Sequence, residues 1–170
     1  MILAADQAGI ARAAEILRAG GLVALPTETV YGLAARADDE KAIAAIYRAK
    51  GRPEFNPLIV HVASIEQAEG LARFGGKARD LVARFWPGPL TLVLPLREGA
   101  PVAPAVTAGL PTIALRMPAH PVMQAVLQAT GAPLAAPSAN RSGGVSPTSA
   151  EHVVASFGAE APAVLDGGTC

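Results

Sequence analysis

Apolar positions along this 170-residue chain follow two different periods, and their alternation predicts helices interleaved with short buried strands. After Asp6, a residue suited to capping a helix, Ile10, Ala13, Ala14 and Leu17 recur at helical spacing until Gly20-Gly21 supplies a stop. Leu22 to Leu25 is instead a continuous apolar run, the mark of a strand covered on both faces. Pro26 ends it, and Pro26 to Leu33 reads as a polar strand-to-helix turn. Asp38 or Asp39 opens a second helix with Ile43, Ile46 and Tyr47 on one face. Leu58 to Val62 repeats the buried-strand pattern, and Ser64 with Gln67 has the spacing of a capping box. Lys77 to Phe85 reads as helix, and Leu90 to Leu94 and Thr112 to Met117 read as strands. Pro121 starts a helix to about Ala129, and Pro133 to Ala136 suits an edge or interior strand. Thr148 with Glu151 gives a last capping box, and Ala163 to Leu165 a last strand. The order predicts an α/β sandwich on one main twisted sheet, with neither repeat nor interdomain linker.

Composition narrows the partners. A chain that is 51% hydrophobic and 16% charged is not globally disordered. Fourteen basic and fourteen acidic side chains cancel, which removes any broad attraction to nucleic acid or membrane. From Trp86 to Ala150, however, Arg97, Arg116 and Arg141 face a single acid, Glu98, so an anion site fits there. Cys170 is the only cysteine, which points to a reducing, cytoplasmic setting. The first residues lack the basic-then-apolar pattern of a signal peptide, and no membrane association is expected. His61, His120 and His152 are too dispersed for a zinc signature, so no metal ligands are expected.

Three polar segments interrupt the apolar pattern. Lys50-Gly51-Arg52 places a mobile point charge beside a planar fork of donors, a pairing able to address two parts of a polyanion. Two cations at a helix end also complement its dipole, so this segment has a purely local explanation as well. Thr27-Glu28-Thr29 offers hydroxyls for an amino acid or phosphate, or else a turn that bonds its own backbone. Ser138-Ala139-Asn140 adds a hydroxyl and an amide that would orient a nucleotide or small polar ligand, or else belongs to an ordinary Gly-rich turn; it is neither a Walker loop nor a dinucleotide fingerprint. His61 lies inside an apolar strand, where packing or a backbone contact accounts for it better than proton transfer.

Taken together, Pro26 to Leu33, Lys50-Gly51-Arg52-Pro53 and Pro137-Ser138-Ala139-Asn140 closely resemble the YrdC-like threonylcarbamoyl-adenylate synthase family. Asn56 to His61 and Trp86 to Thr91 resemble it too, so the likeness runs from about Ala14 to Cys170. The resemblance implies an α/β fold with a twisted mixed sheet, flanking helices and an open electropositive cavity. It implies a nucleotidyltransferase that joins L-threonine, bicarbonate and ATP into threonylcarbamoyl-adenylate and pyrophosphate, with Mg²⁺ accompanying ATP. The product would pass to a separate transferase system acting on adenosine 37 of tRNA. By the same resemblance, Lys50 and Arg52 act on the phosphates and reacting carboxyl groups, and Ser138 and Asn140 on the nucleotide. Thr27, Thr29 and His61 fall on the threonine side, and Arg116 is a further anion contact. Family members usually continue past Asp166 to Cys170, so the expectation is a YrdC-like catalytic domain over 1–170 without its usual C-terminal part. A related carbamoyl-adenylate-forming domain and a nonenzymatic nucleotide- or RNA-binding module are the alternatives. Neutral charge speaks against broad RNA affinity in the second, and missing acylphosphatase-like and zinc-finger regions against the multidomain setting of the first.

Overall fold

Adjacent strand residues send their side chains to opposite faces, and here each face meets its own apolar core. Val23, Leu25, Ala34, Leu134 and Leu165 join one cluster, while Ala24, Leu33, Ala35, Ala135 and Val164 join the other. Burial on both faces is why these segments read as unbroken apolar runs rather than as alternating ones. The computed structural model describes residues 1–53 and 56–170.

The strands are β1 (Ile2–Ala4), β2 (Val23–Leu25), β3 (Gly32–Arg36), β4 (Ile59–His61), β5 (Leu92–Pro95), β6 (Thr112–Arg116), β7 (Leu134–Ala135) and β8 (Ala163–Asp166). They form one mixed eight-stranded sheet in the order β1-β8-β2-β3-β7-β4-β6-β5. The helices are α1 (Gln7–Arg18), α2 (Glu40–Lys50), α3 (Ile65–Glu69), α4 (Gly76–Phe85), α5 (Pro121–Thr130) and α6 (Ala150–Phe157). Helix α1 buries Ala13 and Leu17 in the same core as Met123, Val126 and Leu127 of α5. Helix α2 turns Ile43, Ile46 and Tyr47 into the opposite core.

The predicted α/β class and twisted mixed sheet hold, with differences in detail. Asp6 caps α1 by accepting from Gly9 N at 2.8 Å, and Asp39 rather than Asp38 caps α2. Ser64 accepts from Gln67 N at 3.1 Å, but the Gln67 side chain answers at Ala63 N instead of Ser64 N. The last cap moves one residue: Ser149, not Thr148, accepts from His152 N and opens α6. The turn at Pro26 to Leu33 leads into strand β3 and not a helix, because β2 and β7 hydrogen-bond this segment on both sides. Strand β1, for which the sequence pattern offered no expectation, pairs in parallel with β8.

Candidate functional site

Lys50 ends α2, where Gly51 closes the helix with φ of 62°, a left-handed turn that suits glycine. That turn releases the chain toward Arg52 while Lys50 itself points inward, 3% exposed. Its ammonium donates to the carbonyls of Ser138 at 2.6 Å and Asn140 at 2.5 Å. Ser142 N returns a bond to the Lys50 carbonyl at 2.7 Å. The Lys-Gly-Arg and Ser-Ala-Asn segments, 88 residues apart in sequence, are therefore one unit. Burial, and then the neighbouring Arg52 charge, push the Lys50 ammonium down to about 8. Arg52 is partly buried; Nη2 donates to the Pro57 carbonyl at 3.0 Å, while Nε has no partner among the described residues.

The Ser138–Asn140 segment is held open by its neighbours. Leu33 N donates to Pro137 O and Ala139 N to Tyr31 O, so the chain runs beside the start of β3. Asn140 is buried, and its amide donates to Arg141 O at 2.8 Å and Gly144 O at 3.1 Å, shaping a loop over 140–144. Its Oδ1 is left without a partner among the described residues. Arg141 pairs with Glu160, and its N donates to Ser156 Oγ at 3.0 Å, which fastens the loop to the far end of α6. A cleft of about 380 Å³, lined by Val145, Ser146, His152, Ala155 and Ser156, borders the loop there.

The second group of predicted residues gathers around Arg116. Thr27 Oγ1 accepts from Thr29 N and Val30 N, both at 3.2 Å, and donates to Val30 O at 2.6 Å. It is thus the polar turn that Thr residues build from their own backbone, and it delivers Thr29 Oγ1 to within 3.4 Å of Arg116 Nη1. Glu28 accepts from Ala119 N at 3.3 Å and His120 N at 3.4 Å, placing its carboxylate at the start of α5. Arg116 Nε donates to Thr91 Oγ1 at 2.9 Å, a partner absent from the sequence-derived site. The signal was available, since Thr91 closes the Trp86–Thr91 motif. Tyr31 was also missed as a tether: fully buried, it donates to Gly168 O at 2.7 Å and accepts from Gly167 N at 3.2 Å. Gly167 lies against Pro26 and His120, where a Cβ would come within 2.7 Å of Pro26 Cγ.

His61, buried like Thr27, is paired in parallel register with Arg116. Its Nδ1 has no partner among the described residues, and burial followed by the Arg116 charge pushes the ring down to about 3. The unfolded ring takes a proton near 6.5 whereas the folded ring resists until about 3. The unfolded chain therefore binds more protons through that window. Stability is fully present above about 6.5 and is lost as pH falls toward 3, by at most about 1.4 kcal/mol per pH unit. Urea unfolding between pH 6.5 and 4.5 should give a steeper loss of stability in wild type than in His61→Gln. Equal slopes would show that the folded ring protonates freely.

The structure thus brings Lys50, Arg52, Ser138 and Asn140 into one cluster and Thr27, Thr29, His61 and Arg116 into another. Tyr31 and Gly32 join them, through Ala139 N to Tyr31 O and the bridge between Gly32 and Ser138.

Known proteins are similar to this chain in sequence and in fold. The Sua5/YciO/YrdC family model, described as telomere recombination, matches residues 15–170. The threonylcarbamoyl-AMP synthase of Bacillus subtilis (strain 168) is 52% identical over 98% of this chain and 48% of its own length. That of Pyrococcus abyssi (strain GE5 / Orsay) is 54% identical over 92% of this chain and 46% of its own. The chain therefore spans about half the length of these relatives. The crystal structure of P. abyssi Sua5 complexed with L-threonine superposes with a TM-score of 0.95 at 49% identity, covering 99% of this chain and 51% of that one.

Proposed function

From the premise that this chain belongs to the Sua5/YciO/YrdC family, we propose that it condenses L-threonine, bicarbonate and ATP into threonylcarbamoyl-adenylate and pyrophosphate. The observation that carries the reading is the Lys50 ammonium bonded to the carbonyls of both Ser138 and Asn140, which makes two distant polyanion- and nucleotide-type motifs a single surface.

On this reading the chemistry runs in two steps. The threonine amine and bicarbonate form a carbamate with loss of water. A carbamate oxygen then attacks the α-phosphorus of ATP, and the bond from that phosphorus to the bridging oxygen breaks to release pyrophosphate. Both reactants are anions, so the protein's task is to bring like charges together and hold them in line. Arg52 supplies donors to the carbamate and α-phosphate oxygens as charge shifts between them. Lys50 has two N–H bonds committed to carbonyls, so it acts by its charge and by fixing the nucleotide loop. Ser138 and the loop built on Asn140 take the nucleotide, while Thr27, Thr29, His61 and Arg116 form the threonine side.

Among the described residues, no group of three or more His, Cys, Asp or Glu side chains is placed to cage a metal ion. Mg²⁺ enters as part of the MgATP substrate, through phosphate and water oxygens. The labile mixed anhydride passes to a tRNA threonylcarbamoyl transferase system in the cytoplasm.

Mass spectrometry of products, with each reactant omitted in turn, tests the reading. The anhydride should form only when threonine, bicarbonate and ATP are all present. Hydrolysis of ATP at the same rate without threonine, and no anhydride under any condition, would remove it.

A further inference from the structure

Thr91 is the last residue before β5, and Leu92 pairs with Leu115 in antiparallel register. One step along that register sets Thr91 beside Arg116, while on the other side His61 pairs with Arg116. The three side chains therefore form a row across neighbouring strands, with Arg116 in the middle. The loop leading to Thr91 is fixed at two points: Trp86 Nε1 donates to Leu90 O, and Gly88 N to Met117 O, both at 2.8 Å. Thr91 thus stands on a rigid support, and its hydroxyl accepts from Arg116 Nε at 2.9 Å.

A guanidinium offers two edges for a carboxylate: Nε with Nη2, or Nη1 with Nη2. The bond to Thr91 consumes the first edge. Nη1 is held only loosely, at 3.4 Å from Thr29 Oγ1, and Nη2 has no hydrogen bond among the described residues. Glu28, the nearby acid, is occupied by the backbone N–H groups of Ala119 and His120. The second edge therefore stays open, with the Thr29 hydroxyl beside it.

We propose that Thr91 is a positioning residue that locks the rotation of the Arg116 guanidinium, so that its Nη1–Nη2 edge receives the α-carboxylate of the amino-acid substrate. This rests on the threonine-binding reading above. It explains why a hydroxyl, and not an apolar side chain, stands next to Arg116 at the end of a largely apolar strand. Thr91 touches the arginine and not the substrate, so its loss should weaken amino-acid binding while leaving the nucleotide side intact.

Thr91→Val keeps the shape and deletes the acceptor, and Thr91→Ser keeps the acceptor and deletes the methyl group. Thr91→Val should raise the KM for threonine about tenfold while the KM for ATP stays within twofold, and Thr91→Ser should behave nearly as wild type. NMR exchange of the Arg116 Nε–H gives a readout independent of activity: slow in wild type and Thr91→Ser, at least tenfold faster in Thr91→Val. An unchanged threonine KM in Thr91→Val, equal damage in both variants, unaltered Nε–H exchange, or failure of Thr91→Val to fold would each overturn the assignment. A wild-type protein that makes no product would remove the functional reading instead, and the exchange experiment would still report whether Thr91 holds Arg116.

Discussion

Replacing Arg52 by alanine should cut threonylcarbamoyl-adenylate formation about a hundredfold while leaving the fold almost as stable as before. The rate effect follows from removing one preorganised donor set at the reacting oxygens, a loss of about 3 kcal/mol in transition-state stabilisation. The small effect on stability follows from the contacts of the side chain. Among the described residues Arg52 contributes one bond, to Pro57 O, about 1 kcal/mol, and its Nε is a buried donor without a partner whose removal offsets part of that loss. A domain of this size should lose no more than about 4 °C in Tm. Arg52→Lys keeps the charge but not the planar fork, so its rate should fall between the two. Product formation and thermal unfolding measured on the same preparations decide the matter. A near-wild-type rate in Arg52→Ala would remove it from the chemistry, and a collapse in Tm would make it a structural residue.

Lys50→Met should do the opposite with stability. The methionine fills a similar volume but leaves the Ser138 and Asn140 carbonyls without the donor that the ammonium gave them. Each buried carbonyl left unpaired costs about 1–3 kcal/mol, partly offset because an ammonium no longer has to be desolvated. A net loss of about 3 kcal/mol would lower Tm by roughly 6–12 °C. Product formation should fall at least about a hundredfold, since charge and loop geometry are lost together. The bond from Ser142 N to the Lys50 carbonyl survives, so the loop should loosen and not unfold. ATP affinity measured by calorimetry should weaken in Lys50→Met far more than in Arg52→Ala. A Tm within 2 °C of wild type would show that the two carbonyl bonds only balance the burial of the charge.

The two variants separate roles that the sequence pattern presented as one fork. Lys50 and Arg52 are neighbours in sequence, but the left-handed turn at Gly51 sends one inward and leaves the other at the site. Side-chain direction after a helix end is set by the tertiary partner, which for Lys50 lies 88 residues away, so no local pattern reveals it. Helices α1 and α2 were legible because Asp6 and Asp39 cap them and their apolar stripes face one core each. Strand β3 was not: Gly-Leu-Ala-Ala-Arg carries no β-branched residue, and its extended form comes from β2 and β7 on either side. The cap of α6 was ambiguous, since Thr148 with Glu151 and Ser149 with His152 share the same spacing. Thr91 lay in plain view, but the reason for it appears only when β5 pairs with β6.

Strand β8 is the last in sequence of the described strands, yet it lies between β1 and β2, the first two. On a ribosome, β1 and β2 therefore emerge with an empty lane between them, and their unpaired N–H and C=O groups wait for residues 163–166. Tyr31, whose hydroxyl meets residues 167 and 168, waits as well. The turn that carries Thr27 and Thr29 is then braced by residues made 136 and 137 positions after Tyr31, so a nascent chain interrupted before them carries an open sheet edge. Such a topology places chaperone dependence and aggregation risk in the interval before β8 is synthesised.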